Sequence, residues 1–304
     1  MSSKYIYIFG LLAAFVIIGY VMNRGMSNGQ QRHVEHFSSG VQLKECDTPV
    51  KIYDKFYSGI YDELMTSTAR CQYEVLQVRE NLLKKYKGSG KVSVLDIGCG
   101  LGHQVDLFNQ YKYNTKGLDI SPSMIELAKI KYPLLEFKVG DMTDRTLYEP
   151  TSLTHVTCFF YSIYYVEDIH NLFEGVNSWL KPGGFFVVHL VDKRKFDPVL
   201  EKSSGLIPLY NPQKHARKTK TKLKFNDFDY EADWKLEDKP VLFNEMFRFP
   251  RDKVRKNRHT LFMQPMKKYV NTAEQTGFKL RNTIDMAICN HPFNYLFCFE
   301  KVYG

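Results

Sequence analysis

Asp96, Gly98, Gly100 and Gly102 alternate with other residues in Asp-Ile-Gly-Cys-Gly-Leu-Gly, and Asp119 follows 23 residues after Asp96. Glycines at that spacing let a backbone turn sharply and come close to a ligand. A pyrophosphate-binding turn would place its third glycine at 103, but the residue there is His103. Asp96 instead sets a carboxylate beside the turn, which suits a cation better than a phosphate. Asp119 closes the next strand, where a carboxylate can accept both hydroxyls of a ribose. These residues therefore suit a nucleoside that carries positive charge and no phosphate.

Positioning them requires alternating strands and helices. Val92 to Leu95 is a β-rich run that leads into the glycine turn, and a helical pattern follows through Val105, Leu107 and Phe108. A second strand, Tyr113 to Leu118, ends at Asp119. Ser121 as N-cap and Pro122 at the first helical position then open another helix. Strands over 135–139, 156–160 and 185–191 complete five, separated by helices, which predicts right-handed βαβ crossovers and a parallel sheet. After 192 the pattern changes to alternation. Three extended segments, 218–234, 241–248 and 255–263, are expected, with a bulge or turn near Asn226 and Asp227. A helix over 267–275 and strands over 278–288 and 295–301 close the chain, the last two linked too briefly to be anything but antiparallel.

With VLDIGCGLG (94–102), GLDIS (117–121), VGDM (139–142), HVTCFFYSIYYVED (155–168) and LKPGGFFVVHL (180–190) in this order, the chain resembles the class I S-adenosylmethionine-dependent methyltransferases. The resemblance implies an α/β, Rossmann-like sheet of seven mostly parallel strands in the order 3-2-1-4-5-7-6, strand 7 antiparallel, with an antiparallel insertion after strand 5. It implies S-adenosylmethionine as cofactor. Gly98, Cys99 and Gly100 would line its methionine end, Asp119 would bind the ribose, Asp141 and Met142 would flank the adenine, and Asp96, Gly102 and Ile120 are further cofactor-binding candidates. Phe159 and Phe160 end strand 4, where facing the sulfonium and packing in the core are both open to them. Tyr53, Tyr57 and Tyr61 share one helix face. In the family such a helix closes over the cofactor, so Tyr57 and Tyr61 are candidates for cofactor contact, with a packing stripe as the other reading.

Methyl transfer from a sulfonium asks the protein to align the nucleophile, exclude water and stabilise charge, and a general base is needed only if the acceptor must lose a proton. His189 on strand 5, Tyr161 and Tyr164 after strand 4, and His259 in the insertion are the candidates, and for His189 a hydrogen-bonded core histidine is the competing reading. The Asn-Pro-Pro-aromatic signature of amino-group methylation on bases and proteins is absent, since strand 4 continues as Phe159-Phe160-Tyr161-Ser162.

Composition frames these expectations. At 304 residues, 44% hydrophobic and 25% charged, the chain is neither disordered nor fibrous, and six cysteines without a CxxC pair indicate neither a zinc site nor a disulfide scaffold. Residues 5–22 run 18 positions without a charge, roughly 27 Å as a helix, and are expected to form a single transmembrane anchor. Residues 23–50 are expected to be a flexible linker, and 51–304 a methyltransferase domain on the cytosolic side whose segment 193–263 faces the substrate. The net charge of +9 is uneven, because residues 193–258 alone hold 18 basic and 10 acidic side chains. That segment is expected to face either solvent or an anionic partner, an acidic lipid surface being favoured over nucleic acid. Three functions stay open. The chain either methylates a small-molecule or lipid-like acceptor, methylates RNA or protein, or is a membrane-tethered interaction module without catalysis.

Overall fold

The short apolar run at 93–97 forms the centre of a seven-stranded sheet in a computed structural model of the chain, which describes residues 35, 37, 42–88, 90–198, 217 and 219–302. The strands of this sheet are β2 (Ser93–Ile97), β3 (Asn114–Asp119), β4 (Glu136–Val139), β5 (Leu153–Cys158), β6 (Leu180–Val191), β11 (Phe278–Asp285) and β12 (Asn294–Lys301). They lie in the order β11-β12-β6-β5-β2-β3-β4. Pairing is parallel from β4 through to β6, whereas β12 runs antiparallel to both β6 and β11. Every residue of β5 is buried, and so is most of β6, as strands covered by helices on both faces must be.

The helices follow from local signals. Asp54 caps α2 (Lys55–Leu64) by accepting from Tyr57 N, and Ser67 caps α3 (Thr68–Asn81) by accepting from Arg70 N; both follow the four-residue α1 (Pro49–Ile52). Helix α4 (His103–Gln110) starts directly after the glycine turn, and α5 (Pro122–Lys131) starts at the Ser121 cap. Helix α6 (Ile169–Trp179) turns Leu172, Phe173, Val176 and Trp179 onto the sheet, and α7 (Met266–Gln275) precedes β11. Gly102 shows why a glycine is needed at the last position of the turn. It has a φ of +81°, and a Cβ there would lie 2.6 Å from the Phe137 ring, so its role is close helix-to-sheet packing.

A second sheet lies ahead of β11 in the chain. Strands β7 (Lys220–Lys224), β8 (Asp229–Lys235), β9 (Val241–Phe249) and β10 (Lys253–Leu261) form an antiparallel meander. The change of parity near Asn226 is a turn between β7 and β8. A fifth strand, β1 (Leu43–Cys46), pairs in parallel with β10, Leu43 opposite Val254 and Cys46 opposite Asn257. β1 falls inside the expected linker. Its LKEC sequence carries little strand signal, and its place is set by the exposed edge of β10 that it covers.

The expected membrane localisation is corrected. Among the described residues no helix is long and apolar enough to cross a membrane, and the 5–22 segment on which that expectation rested lies outside the described residues, as do Lys214 and Lys218 of the basic run.

Candidate active site

The turn after β2 is held open by hydrogen bonds to the next strand. Gly98 N and Cys99 N both donate to Leu118 O, at 2.7 and 3.0 Å. Gly100 N donates to Asp119 Oδ2 at 2.8 Å, and Ser121 N to Asp119 Oδ1 at 2.9 Å. At Gly98 φ is +71° and a Cβ would lie 2.6 Å from Ser162. The backbone can thus approach a ligand only as glycine. A cavity of about 360 Å³ opens over this turn, lined by Gly98, Gly100, Asp119, Ile120, Asp141, Met142 and Tyr61 among others. All seven are expected cofactor residues.

Asp96, Cys99, Phe159 and Phe160 border a smaller void of about 40 Å³ beneath the turn, together with Arg70. The Arg70 guanidinium stacks 3.8 Å from the centroid of the Phe160 ring and pairs with buried Glu74 at 3.3 Å, which gives the void a cation suited to a carboxylate. Burial pushes the Asp96 carboxyl up to about 8, assisted by Glu74 and Asp119 and opposed by the 2.7 Å hydrogen bond from Thr157. Asp96 is therefore neutral at pH 7 until a cation enters. In the unfolded chain an aspartate loses its proton near pH 4. Between pH 4 and 8 the folded state holds a proton that the unfolded state lacks, so this group's contribution to stability is full at low pH and is lost as pH rises toward 8. The cofactor-free protein is expected to lose up to about 1.4 kcal/mol per pH unit over that window in urea unfolding. Asp96→Asn should flatten the slope, and an unchanged slope would overturn the assignment.

A second cavity, of about 440 Å³, adjoins the first and shares Tyr53, Tyr61, Ser162 and Tyr165 with it. Its walls combine aromatic rings, Phe160 and Tyr161 from the loop after β5 and Trp234 and Phe243 from the second sheet, with the polar run Thr66 to Thr68 and the charged Arg70 and Asp197. Phe160 and Tyr161 both adopt positive φ, 37° and 39°, and stack on each other at 4.3 Å, so two large residues hold a strained turn at the cavity wall.

Four expected site residues, His189, Tyr164, Tyr57 and Gly102, line none of these cavities. His189 is fully buried, and its Nε2 donates to Asn294 Oδ1 at 3.0 Å while its Nδ1 accepts from Phe160 N at 3.2 Å. Burial also pulls its pKa down. With both nitrogens engaged and no open face, it is a core histidine. The Tyr164 hydroxyl accepts from Val191 N at 2.8 Å within the core. Tyr57 is fully buried and donates to Glu245 Oε1 at 2.9 Å, turning toward the second sheet and away from the cofactor cavity. Phe159 packs in the core, stacked on Phe108 at 6.5 Å, while Phe160 is the one of the pair that reaches the acceptor side. Sequence reasoning missed Ser162, Tyr165, Arg70 and Glu245. The first two lie within the 155–168 motif, so their proximity was available, whereas Arg70 and Glu245 carry no local signal.

Residues 94–184 match the methyltransferase domain family. Over 144 residues the chain is 27% identical to dTDP-4-amino-2,3,4,6-tetradeoxy-D-glucose N,N-dimethyltransferase of Saccharopolyspora spinosa, covering 45% of this chain and 55% of that one. It is 37% identical over 97 residues to phosphoethanolamine N-methyltransferase 1 of Zea mays, covering 30% of this chain and 19% of that one. The chain thus matches about half of the first relative's length and about a fifth of the second's. The crystal structure of an S-adenosylmethionine-dependent methyltransferase from Clostridium acetobutylicum superposes with a TM-score of 0.60 at 16% identity, covering 81% of this chain and 98% of that one. Residues 94–184 thus carry a methyltransferase domain on the fold of S-adenosylmethionine-dependent methyltransferases, and both support S-adenosylmethionine as the cofactor.

The glycine cradle and the Asp119 carboxylate at a strand end fit that cofactor. The lipid surface expected to face residues 193–258 finds no support. Of the described basic side chains there, Arg255 is fully buried, Lys222 pairs with Glu231 at 3.1 Å and Lys256 with Glu45 at 3.9 Å.

Proposed function

We propose that the chain transfers a methyl group from S-adenosylmethionine to the nitrogen of a small-molecule amine. The observation that carries this reading is the pair of cavities joined at Tyr53, Tyr61, Ser162 and Tyr165. One cavity has the carboxylates and glycines for the cofactor, and the other has the aromatic walls for an acceptor. Aromatic faces attract an ammonium group, and a partly enclosed cavity of this volume suits a small molecule better than a polymer. The two curated relatives above are both N-methyltransferases of small molecules. RNA would ask for a continuous basic track, which the ion pairs on β7 and β10 interrupt. A non-catalytic module would have no need of an acceptor cavity joined to the glycine turn's own.

When bound, the cofactor supplies an electrophilic methyl group on a sulfonium. The chain's own residues would hold the ribose at Asp119, fix the turn through Gly98 and Gly100, and close the junction with Tyr53 and Tyr61. The test is mass spectrometry of phosphoethanolamine and a dTDP-amino-sugar incubated with enzyme and cofactor. One or two added methyl groups on nitrogen are expected. Methylation of neither, or of bulk RNA or protein in their place, would overturn the reading.

A further inference from the structure

The second sheet carries a buried carboxylate that the cofactor site does not use. Glu245 on β9 has both oxygens occupied: Oε1 accepts from Tyr57 at 2.9 Å and from Tyr230 at 2.8 Å, and Oε2 accepts from Asn257 Nδ2 at 3.0 Å. The fourth partner is His259 Nε2, on β10, at 2.7 Å. On the far side of the imidazole, Nδ1 meets the Tyr165 hydroxyl at 2.5 Å, which in turn meets the Tyr53 hydroxyl at 2.8 Å. A chain of hydrogen bonds therefore runs from Glu245 to two hydroxyls at the junction of the two cavities.

Proton positions follow from the donor inventory. Burial pushes the Glu245 carboxyl up, but His259, Asn257 and Tyr230 outweigh it and hold the group below the usual glutamate range. An ionised carboxylate only accepts, so His259 donates from Nε2, and in the neutral tautomer that this selects Nδ1 is the acceptor. Tyr165 must then donate to Nδ1 and Tyr53 to Tyr165. The arrangement is a hydroxyl, an imidazole and a carboxylate in series, which is the logic by which a weak acid is made to accept a proton. The titratable groups facing His259 are Glu245 from β9, Tyr57 and Tyr53 from α2 and the residue ahead of its cap, and Tyr165. Phe243 stacks on its ring at 4.7 Å, and Tyr61 and Asp119 face Tyr165 from the cofactor side.

We propose that Tyr165, backed by His259 and Glu245 as positioning residues, takes the proton that an acceptor ammonium must lose before its nitrogen can attack. The inference rests on the small-amine reading above. As the ammonium gives its proton to Tyr165 Oη, directly or through Tyr53, Tyr165 passes its own proton to His259 Nδ1, and the imidazolium is held by the Glu245 carboxylate. The freed lone pair forms the N–C bond as the S–C bond breaks, its electron pair staying on sulfur.

The test uses Tyr165→Phe, His259→Gln and Glu245→Gln in the full chain, with the two amines named above. Calorimetry should show cofactor affinity within threefold of wild type for His259→Gln and Glu245→Gln. Tyr165→Phe should methylate about 100-fold more slowly at pH 7, with a rate that climbs about tenfold per pH unit as the free amine replaces the ammonium; wild type should climb less steeply. Nitrogen NMR of the S-adenosylhomocysteine-bound protein should show His259 protonated on Nε2 alone in wild type, and a mixture of tautomers in Glu245→Gln. If wild type binds cofactor but methylates neither amine, the amine reading falls and the relay with it. If wild type methylates and Tyr165→Phe matches its rate and pH slope, or if His259 carries its proton on Nδ1, the relay alone falls.

Discussion

Asp119→Ala is expected to weaken S-adenosylmethionine binding at least about a hundredfold while the fold stands. The carboxylate ends β3 and accepts from Gly100 N and Ser121 N, at 2.8 and 2.9 Å. It therefore ties the glycine turn to the start of α5 as well as facing the cavity. Hydrogen bonds to a charged group contribute about 1.5–3 kcal/mol each. Losing two ribose contacts costs about 3–6 kcal/mol, and every 1.4 kcal/mol is tenfold in affinity. Asp119→Asn keeps one acceptor oxygen and should lose about tenfold. Calorimetry decides the matter, and a change under threefold for the alanine variant would refute the role.

Arg255→Met is expected to cost about 3–5 kcal/mol of stability, the range for removing one partner of a buried charge network. Arg255 on β10 is fully buried, with Nη1 on Glu35 at 2.5 Å and on Asp54 at 2.9 Å, Nη2 on Ile52 O at 2.8 Å, and Nε on Asn257 Oδ1 at 2.9 Å. Lys44 shares the same two carboxylates, at 2.6 and 2.9 Å, and cannot balance both alone. Arg255→Lys should recover little, because an ammonium cannot reproduce the planar fork. Asp54 also caps α2, the helix that carries Tyr57 and Tyr61, so cofactor affinity should fall along with stability. Urea unfolding measures the effect, and a loss under 1 kcal/mol would show that the network is not a keystone.

The cofactor half of the molecule was legible because its signals are local. Asp96 and the glycines lie within one turn, Ser121-Pro122 announces a helix start, and Asp119 stands at a strand end. The acceptor half was less legible, because its groups meet only across long stretches of sequence. Tyr53, Tyr57 and Tyr61 were expected on one helix face, yet Tyr53 stands ahead of the Asp54 cap of α2 and Tyr57 turns to Glu245, 188 residues away, while Tyr53 and Tyr61 reach the cavities. Nothing near Glu245 marks it as the hub of four hydrogen bonds. His189 misled for the converse reason. A histidine on a central strand looks the same in sequence whether it faces a cavity or, as here, is enclosed by Glu74, Asn294 and the backbone. The charge surplus misled too, since Arg255 counts as basic surface in a tally but lies in the interior.

The pairing of β1 with β10, Leu43 opposite Val254, bears on how the protein is made. A ribosome adds about 5–20 residues per second, so roughly 10–40 s separate synthesis of the first strand of the second sheet from that of its partner. During that interval β2 to β6 can assemble with neighbours already present, whereas β1, α2 and the Glu35–Asp54 carboxylates wait for Arg255. Non-local pairings of this kind form late. The acceptor cavity, walled by both ends of this wait, therefore cannot form until β10 is made, after β2 to β6 and ahead of β11 and β12, and a nascent chain can present its nucleoside-binding turn before it has anywhere to receive a methyl acceptor.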